Sequence, residues 1–457
     1  EELGKNVYPF SGIFDGKDAS GKVHKVTVAK PGKPLFNYVR EAEIRNLEIY
    51  GEQIDGYGLV DKYFVDYGTD GKYNTGCPQA VTIENVVLKE GSKVLKSGFI
   101  GGYASGANTV YITNCTVEPD VEIGYDGTQS NIGSFAGDFN GYITNCVSYA
   151  TVKGEDAVGG IVGAKGQSMG PCNITNSEFY GTVSASGQLA GGILGSGYRG
   201  KSAPLTPVAS VKNCLVTGNI EGATNVGGIF GGEPVCENCQ DNGQGIISDN
   251  VFVGTVNAKD ENGTVGNIIG LLKSVNKNQT ISQNYYLADS NEYSGIGKIE
   301  KIISVSDNKK TGIDYVFNAD KVCISATAKS MSNKSIVKEL NNSKTSLKNW
   351  IQGDSFPVHS SVPVPYKIDL IDGYKTIYYV SEPLDTTSII ANVTYSDGSV
   401  IKVGASELTL SGFDSKSVGY KNITVSYKNA ESSFKVLVIA PEPKSMMVYF
   451  TLYGDKR

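Results

Sequence analysis

Short runs of alternating apolar and polar residues, such as 177–183 and 251–256, recur along the first two thirds of the chain, broken by small residues and glycine. This alternation is the mark of half-buried strands, and no helix of ordinary length fits between the breaks. The runs are organised around two fixed points. The first is a corner residue with Ile or Val two places before it: Asn46, Asn85, Asn114, Asn145, Asn176 and Asn213, continued by Asp249 and Gln283. The second is a glycine phrase of the form Gly-Gly-Ile-Val-Gly, at 159–163, 191–195, 227–231 and 266–270, with looser versions at 98–101 and 133–137.

Successive corners stand 39, 29, 31, 31, 37, 36 and 34 residues apart, so the register persists while loop lengths vary. A unit of this size, made of short strands, cannot bury its apolar side alone, whereas parallel stacking of similar units can. The pattern therefore predicts a parallel β-helix. At about 4.8 Å per coil, eight corners would give a rod on the order of 35 Å long. Asn tolerates the left-handed backbone of a sharp corner, and its amide can bond the equivalent amide one coil away, so an internal Asn ladder is expected. Ile161, Ile193, Ile229 and Ile268 would stack as an aliphatic column inside. Right-handed winding follows from the general preference of parallel crossovers.

The units 143–163 and 211–231, in which Asn-Cys is followed by Gly-Gly-Ile-x-Gly, resemble the GLUG-type repeat of large bacterial surface and secreted proteins, including the non-catalytic part of some immunoglobulin A1 peptidases. Residues 10–16, Phe-Ser-Gly-Ile-Phe-Asp-Gly, are similar to the way such arrays open, and 331–358, with Leu340, Asn341 and Trp350, to the way they close. The resemblance covers about residues 8–358 and implies architecture, not one activity. Asp249 and Gln283 depart from its Asn pattern at the last two coils.

The pattern changes after residue 300. Residues 335–342 read as a short helix in a cap and linker spanning 301–362, where Pro357, Pro363 and Pro365 stiffen the chain. From Tyr366 the strands separate: 389–395 and 400–403 flank Ser-Asp-Gly-Ser at 396–399, a hairpin signal. Ile423, Val425 and Tyr427, then Phe434, Val436 and Val438, alternate with polar residues, as in a small antiparallel sandwich. Leu384-Asp385, 394–398 and 425–427 are similar to bacterial immunoglobulin-like modules of cell-surface proteins, which implies a spacer over 366–440, with a role in ligand contact as the alternative. Residues 441–457 read as the start of a further module. The expected fold is thus all-β: a right-handed parallel β-helix over 1–300, then a small immunoglobulin-like β-sandwich.

Composition narrows the chemistry. The chain has 457 residues, with 41 Lys and Arg against 47 Asp and Glu, for a net charge of −6, and no basic stripe that would neutralise phosphates, so nucleic acid is not an expected partner. No stretch approaches the ~18 apolar residues of a membrane span, and 1–5 is not a signal peptide. Cys115, Cys146 and Cys214 each follow a corner Asn and are read as small apolar residues in one interior column. Cys236 and Cys239 suggest a local disulfide or two thiols, since zinc would need two further ligands. No cofactor or metal site is expected.

His24 and His359 are the only histidines, and neither stands in a nucleophilic or zinc-binding phrase. The glycine phrases recur in most coils, which marks them as turns and not phosphate cradles. Asp66 to Gly71 begins like a calcium loop, but Gly68 and Cys77 fall where ligands are needed. An enzyme of the glycosidase or lyase type would need paired carboxylates on neighbouring coils, for which Asp61, Asp66, Asp70 and Asp138 are the candidates. A binding edge is the preferred reading, because the variable insertions all fall between the glycine phrase and the next corner, on one side of the rod. They carry Tyr63, Phe64, Tyr67, Tyr73, Tyr103, Phe139, Tyr198 and Arg199, whose rings suit sugars or extended protein segments. The plain alternative is that these rings cover the rod's own apolar edge. The expectation is a monomeric, extracellular, non-enzymatic adhesin or scaffold that binds a glycan or a host or matrix protein. A glycan-degrading enzyme and the non-catalytic region of a large secreted peptidase are the rivals.

Overall fold

The computed structural model describes residues 9–63, 80–101, 109–166, 170–197, 209–232, 245–272, 280–290, 292–300, 317–360, 362–363, 365–396, 399–428 and 430–441. They form two compact units, Glu1–His359 and Ser360–Arg457.

The first unit is a parallel β-helix. One coil contains the strands Cys172–Thr175, Glu178–Phe179, Thr182–Ala185, Gln188–Gly191 and Leu194–Ser196. Each pairs in parallel with its counterpart in the next coil. The alternation read from the sequence now has a direction. Ile44, Ile83, Ile112, Ile143, Ile174, Val211, Ile247 and Ile281 stand in register and form one inward column. The Ile161, Ile193, Ile229 and Ile268 positions are fully buried, as expected.

Every corner adopts the left-handed backbone, with φ between 51° and 59° from Asn85 to Gln283, a region that Asn tolerates better than most residues. The Asn ladder exists, but it is not internal. Asn213 donates to Asn176 (2.9 Å), Asn176 to Asn145 (2.6 Å) and Asn145 to Asn114 (3.2 Å), while Asn85 donates to Asn46 (3.3 Å) and Asn46 to Asp15 (3.0 Å). Asn85, Asn114 and Asn145 are exposed. The left-handed turn reverses the alternation, so the residue after each corner points inward instead. That inner column holds Val86, Cys115, Cys146, Ser177, Cys214, Asn250 and Asn284. Cys115, Cys146 and Cys214 are buried and unbridged. At the top, Asn250 accepts from the Cys214 N–H (2.9 Å) and donates to Asn284 (2.9 Å), so an internal amide pair lies beside the predicted ladder.

The chain leaves the last paired strand, Cys323–Ala326 on Asn284–Leu287, and returns along the outside of the rod. Helices Ala328–Met331 and Lys334–Asn342, capped by Thr327 and Asn333, lead into the antiparallel pair Trp350–Gln352 and Pro357–His359. This strap buries Leu215, Val251 and Tyr285 against Met331, Ile336, Val337, Leu340 and Trp350.

The second unit is a sandwich. Its three-stranded sheet joins Pro365–Leu370, Ile390–Tyr395 and Val400–Gly404 antiparallel. The other sheet joins Ile377–Tyr379, Ala430–Ile439, Gly419–Tyr427 and Thr409–Ser411, the first pairing being parallel. Tyr378, Ile389, Val393, Ile423, Val425, Val436 and Val438 fill the space between.

Candidate functional site

Two residues expected on the binding edge belong to the core instead. Tyr63 is 4% exposed and Phe139 is fully buried. Both close short strands, Val60–Tyr63 and Ala136–Phe139, in the inward phase of the pleat, so alternation turns them away from any ligand. Phe64, Tyr67, Tyr73, Tyr103, Tyr198 and Arg199 lie outside the described residues, as do Asp66, Asp70, Cys77, Cys236 and Cys239. Of the candidate carboxylates, Asp138 is largely buried, and that burial raises its carboxyl against the lowering effect of a hydrogen bond from Asn131. The bridges Val60 to Ile100 and Ile100 to Ala136 align Val60 with Ala136, so Asp61 stands one residue and Asp138 two residues beyond that common point. The two acids therefore do not share a column. Among the described residues no group of three or more His, Cys, Asp or Glu side chains is placed to hold a metal ion.

The described surface richest in ligand-binding chemistry is the outer face around the Asn corners of the lower coils. Parallel register turns each sequence offset into a column along the rod. Before the corner run Thr82, Tyr111 and Tyr142, then Glu84, Thr113 and Thr144. The corner carries Asn85, Asn114 and Asn145. After it come Val87, Thr116 and Val147. One residue beyond the paired Leu88, Val117, Ser148 and Phe179 lie Lys89, Glu118, Tyr149 and Tyr180.

The rings on this face are stacked by the coil repeat. Tyr111 and Tyr142 lie 5.3 Å apart with planes 7° from parallel, and Tyr149 and Tyr180 lie 5.0 Å apart at 14°. Tyr111 is 40% and Tyr149 41% exposed, so part of each ring remains open to solvent. Such rings offer apolar contact area with a polar handle.

Below Tyr149 the face opens into a depression of about 420 Å³ lined by Lys25, Tyr50, Lys89, Glu90, Glu118 and Pro119. Lys89 lies 2.5 Å from Glu118 and 3.9 Å from Glu48, and Lys25 sits 5.7 Å over the Tyr50 ring. Burial pushes the Glu118 carboxyl up, but Lys89 and the Glu90 N–H outweigh it and hold the group below the usual range. Glu118 in turn raises the Lys89 ammonium. The floor is thus a fixed ion pair, with an aromatic wall beside it.

The strap ends this face above. Its contacts descend the rod in order: Glu339 accepts from the Tyr285 hydroxyl, Thr345 bonds Asp249 (2.5 Å), Asn349 bonds Asn213 and Asn176, and His359 reaches Glu178 (2.8 Å). The departures at Asp249 and Gln283 acquire a reason here. Under the strap these corners bond Thr345 and the Tyr285 hydroxyl, where corners below bond one another.

The ladder-face tyrosines were absent from the sequence-based choice of binding residues. The signal was present, because Tyr111 and Tyr142 each stand three residues before a corner Asn, and Tyr149 and Tyr180 each stand four after one. Equal offset from a corner means one column.

Comparison with known proteins places the second unit. Residues 372–438 match the family model of the bacterial Ig-like domain (group 3). The chain is thus a parallel β-helix followed by a bacterial immunoglobulin-like domain. No GLUG repeat family was found over the coils. A stretch of 79 residues is 34% identical to pectate lyase L of Thermoclostridium stercorarium, covering 17% of this chain and 6% of that protein. A solution structure whose description names a surface protein matches 19% of this chain and 100% of its own at 25% identity, with a TM-score of 0.13, too low to support a fold argument.

Proposed function

We propose that this chain is an extracellular, non-enzymatic adhesin or scaffold, in which the rod binds an extended polymer along the uncovered ladder face and the immunoglobulin-like domain acts as a spacer. The observation that carries this reading is the alignment of Tyr111 with Tyr142 and of Tyr149 with Tyr180, in two columns that flank the exposed Asn114 and Asn145 corners. A polymer lying along the rod would meet these two ring pairs and a run of amide corners spaced by the coil repeat of about 5 Å. The bacterial Ig-like match supports an extracellular setting, and the similarity to a protein named pectate lyase L supports a link to carbohydrate.

Glycan cleavage is the second reading, favoured by the buried carboxyl of Asp138, whose raised proton affinity suits a general acid. Of the other candidate carboxylates, Asp61 stands in a different column, and Asp66 and Asp70 lie outside the described residues.

The test is retention of the full chain on immobilised mucin, pectin and matrix proteins, with soluble sugar release followed in the same wells. Retention without release, weakened at least fivefold by Tyr149→Ala together with Tyr111→Ala, is the expected result. Release of sugar by the unaltered chain would overturn the non-enzymatic reading.

A further inference from the structure

The strap occupies the upper part of the same face whose lower part is open, and it shows what that face accepts. Asn349 does not lie over the ladder passively. Its Oδ1 accepts from Asn213 Nδ2 at 2.9 Å while its Nδ2 donates to Asn176 Oδ1 at 2.6 Å, so one amide bridges two successive rungs. A primary amide has two N–H donors and two acceptor lone pairs. Asn145 spends one of each along the rod, on Asn114 and Asn176. The remaining N–H and lone pair point to a second amide with the same donor and acceptor polarity. Asn85, Asn114 and Asn145 present this chemistry without the strap above them, and all three are exposed.

The columns beside the rungs fit the same kind of occupant. Beneath the strap, the column after the corner holds Leu215, Val251 and Tyr285, buried by the strap's own apolar side chains. Lower down the same column holds Val87, Thr116 and Val147, half-buried and small. This leaves a shallow track for an extended backbone, with the exposed ring of Tyr149 at its side where an aromatic residue can stack.

From this continuity we propose that the uncovered rungs Asn85, Asn114 and Asn145 dock an extended polypeptide segment whose Asn or Gln side chains bridge successive rungs as Asn349 does. The inference rests on the binding-rod reading and names its partner class. Spacing adds a constraint. An amide that bridges two rungs repeats after two coils, roughly 9.6 Å, and a chain in the extended polyproline-II form, with three residues per turn, advances about 3.1 Å per residue. Amide side chains three residues apart therefore keep step with the rod.

The experiment uses the full chain and a fluorescein-labelled 12-residue peptide of four Asn-Thr-Thr repeats, with an Ala-Thr-Thr counterpart, read by fluorescence anisotropy. The glycan and matrix panel is run in parallel. Saturable binding of the Asn peptide, at least tenfold weaker for the Ala peptide and for Asn114→Gly, is the expected result. Glycine keeps the left-handed corner and removes only the amide. The Ala peptide tests the same contact on the unaltered protein, should the variant fold poorly. Equal or absent binding of both peptides, alongside glycan retention that depends on Tyr149, would overturn the polypeptide assignment and leave the binding rod standing. Retention of nothing would overturn both.

Discussion

His359 Nδ1 lies 2.8 Å from Glu178 Oε1, joining residues 181 apart in the chain and fastening the end of the strap to the middle of the rod. The Asn213 amide stands 3.3 Å from the other ring nitrogen, and the Tyr180 hydroxyl donates to Glu178 Oε2 at 2.6 Å. Both carboxylate oxygens are therefore engaged. Burial pushes the Glu178 carboxyl up, yet His359 and Tyr180 outweigh it and the group is held below its ordinary value of 4.5.

A carboxyl whose folded value is depressed stabilises the fold above its unfolded value, and that contribution is lost as pH falls through the folded value. Glu178→Gln should thus cost about 2 kcal/mol near neutral pH, as for a charge-assisted hydrogen bond in a partly buried site. The gap between variant and parent should shrink below pH 4.5. Urea unfolding of the two proteins across pH 3 to 7 checks this; a gap independent of pH would mean that the contact is steric.

At Asn145 the backbone and the ladder make separable contributions. Its φ of 56° disfavours any side chain that cannot offset the left-handed region, and its amide bonds rungs on both sides. Asn145→Ala should destabilise the rod by about 2 kcal/mol, while Asn145→Gly should recover about 1 kcal/mol of that by relieving the backbone alone. Chemical denaturation of both variants gives the two contributions by difference. Equal losses would assign the whole effect to the ladder.

How much of this was legible in the sequence depended on the range of the contact. The corners were legible because a left-handed turn selects Asn, and Asp249 and Gln283 kept the backbone while changing the partner. The inward Ile columns followed from alternation within one strand. The facing of the ladder did not, because the corner itself reverses the alternation, and Tyr63 and Phe139 were misplaced because their strands run further toward the insertions than their polar neighbours suggested. The strap was unreadable as a partner of the rod, since Asn349 meets Asn213 across 136 residues. Leu215, Val251 and Tyr285 were its trace, an unbroken apolar run at an outward position where the three coils below mix Thr116, Val147 and Glu178.

Gly192 illustrates a constraint that composition alone does not reveal. A Cβ there would lie 2.1 Å from the Gly228 carbonyl oxygen of the next coil and 2.8 Å from Val216 Cγ1. Backbone held by parallel pairing on both sides cannot yield, so Gly192→Ala should cost about 3 kcal/mol or prevent folding. Gly404→Ala, where a Cβ meets nothing within 4 Å, should leave the second unit within about 0.5 kcal/mol of its parent. Thermal unfolding followed by circular dichroism distinguishes the two. A mild effect at Gly192 would mean that the coils can separate locally.

The thiol column supplies a probe of the rod's integrity that needs no ligand. Cys115, Cys146 and Cys214 are wholly buried, and burial drives the thiols of Cys172 and Cys214 up to about 12. Alkylation requires the thiolate and an open path to it; burial closes the path to Cys115, Cys146 and Cys214 and keeps Cys214 protonated at pH 8. With iodoacetamide, peptide mapping should find these cysteines unmodified in the native protein and modified in urea. Their labelling rates at intermediate urea should coincide, because stacked coils that share one core should expose the column together. Glu178→Gln should raise the rate for Cys214, which lies under the strap, before that for Cys115, which does not. Uniform acceleration would show instead that the strap stabilises the rod as a whole, and rapid native labelling of Cys146 would contradict a closed interior.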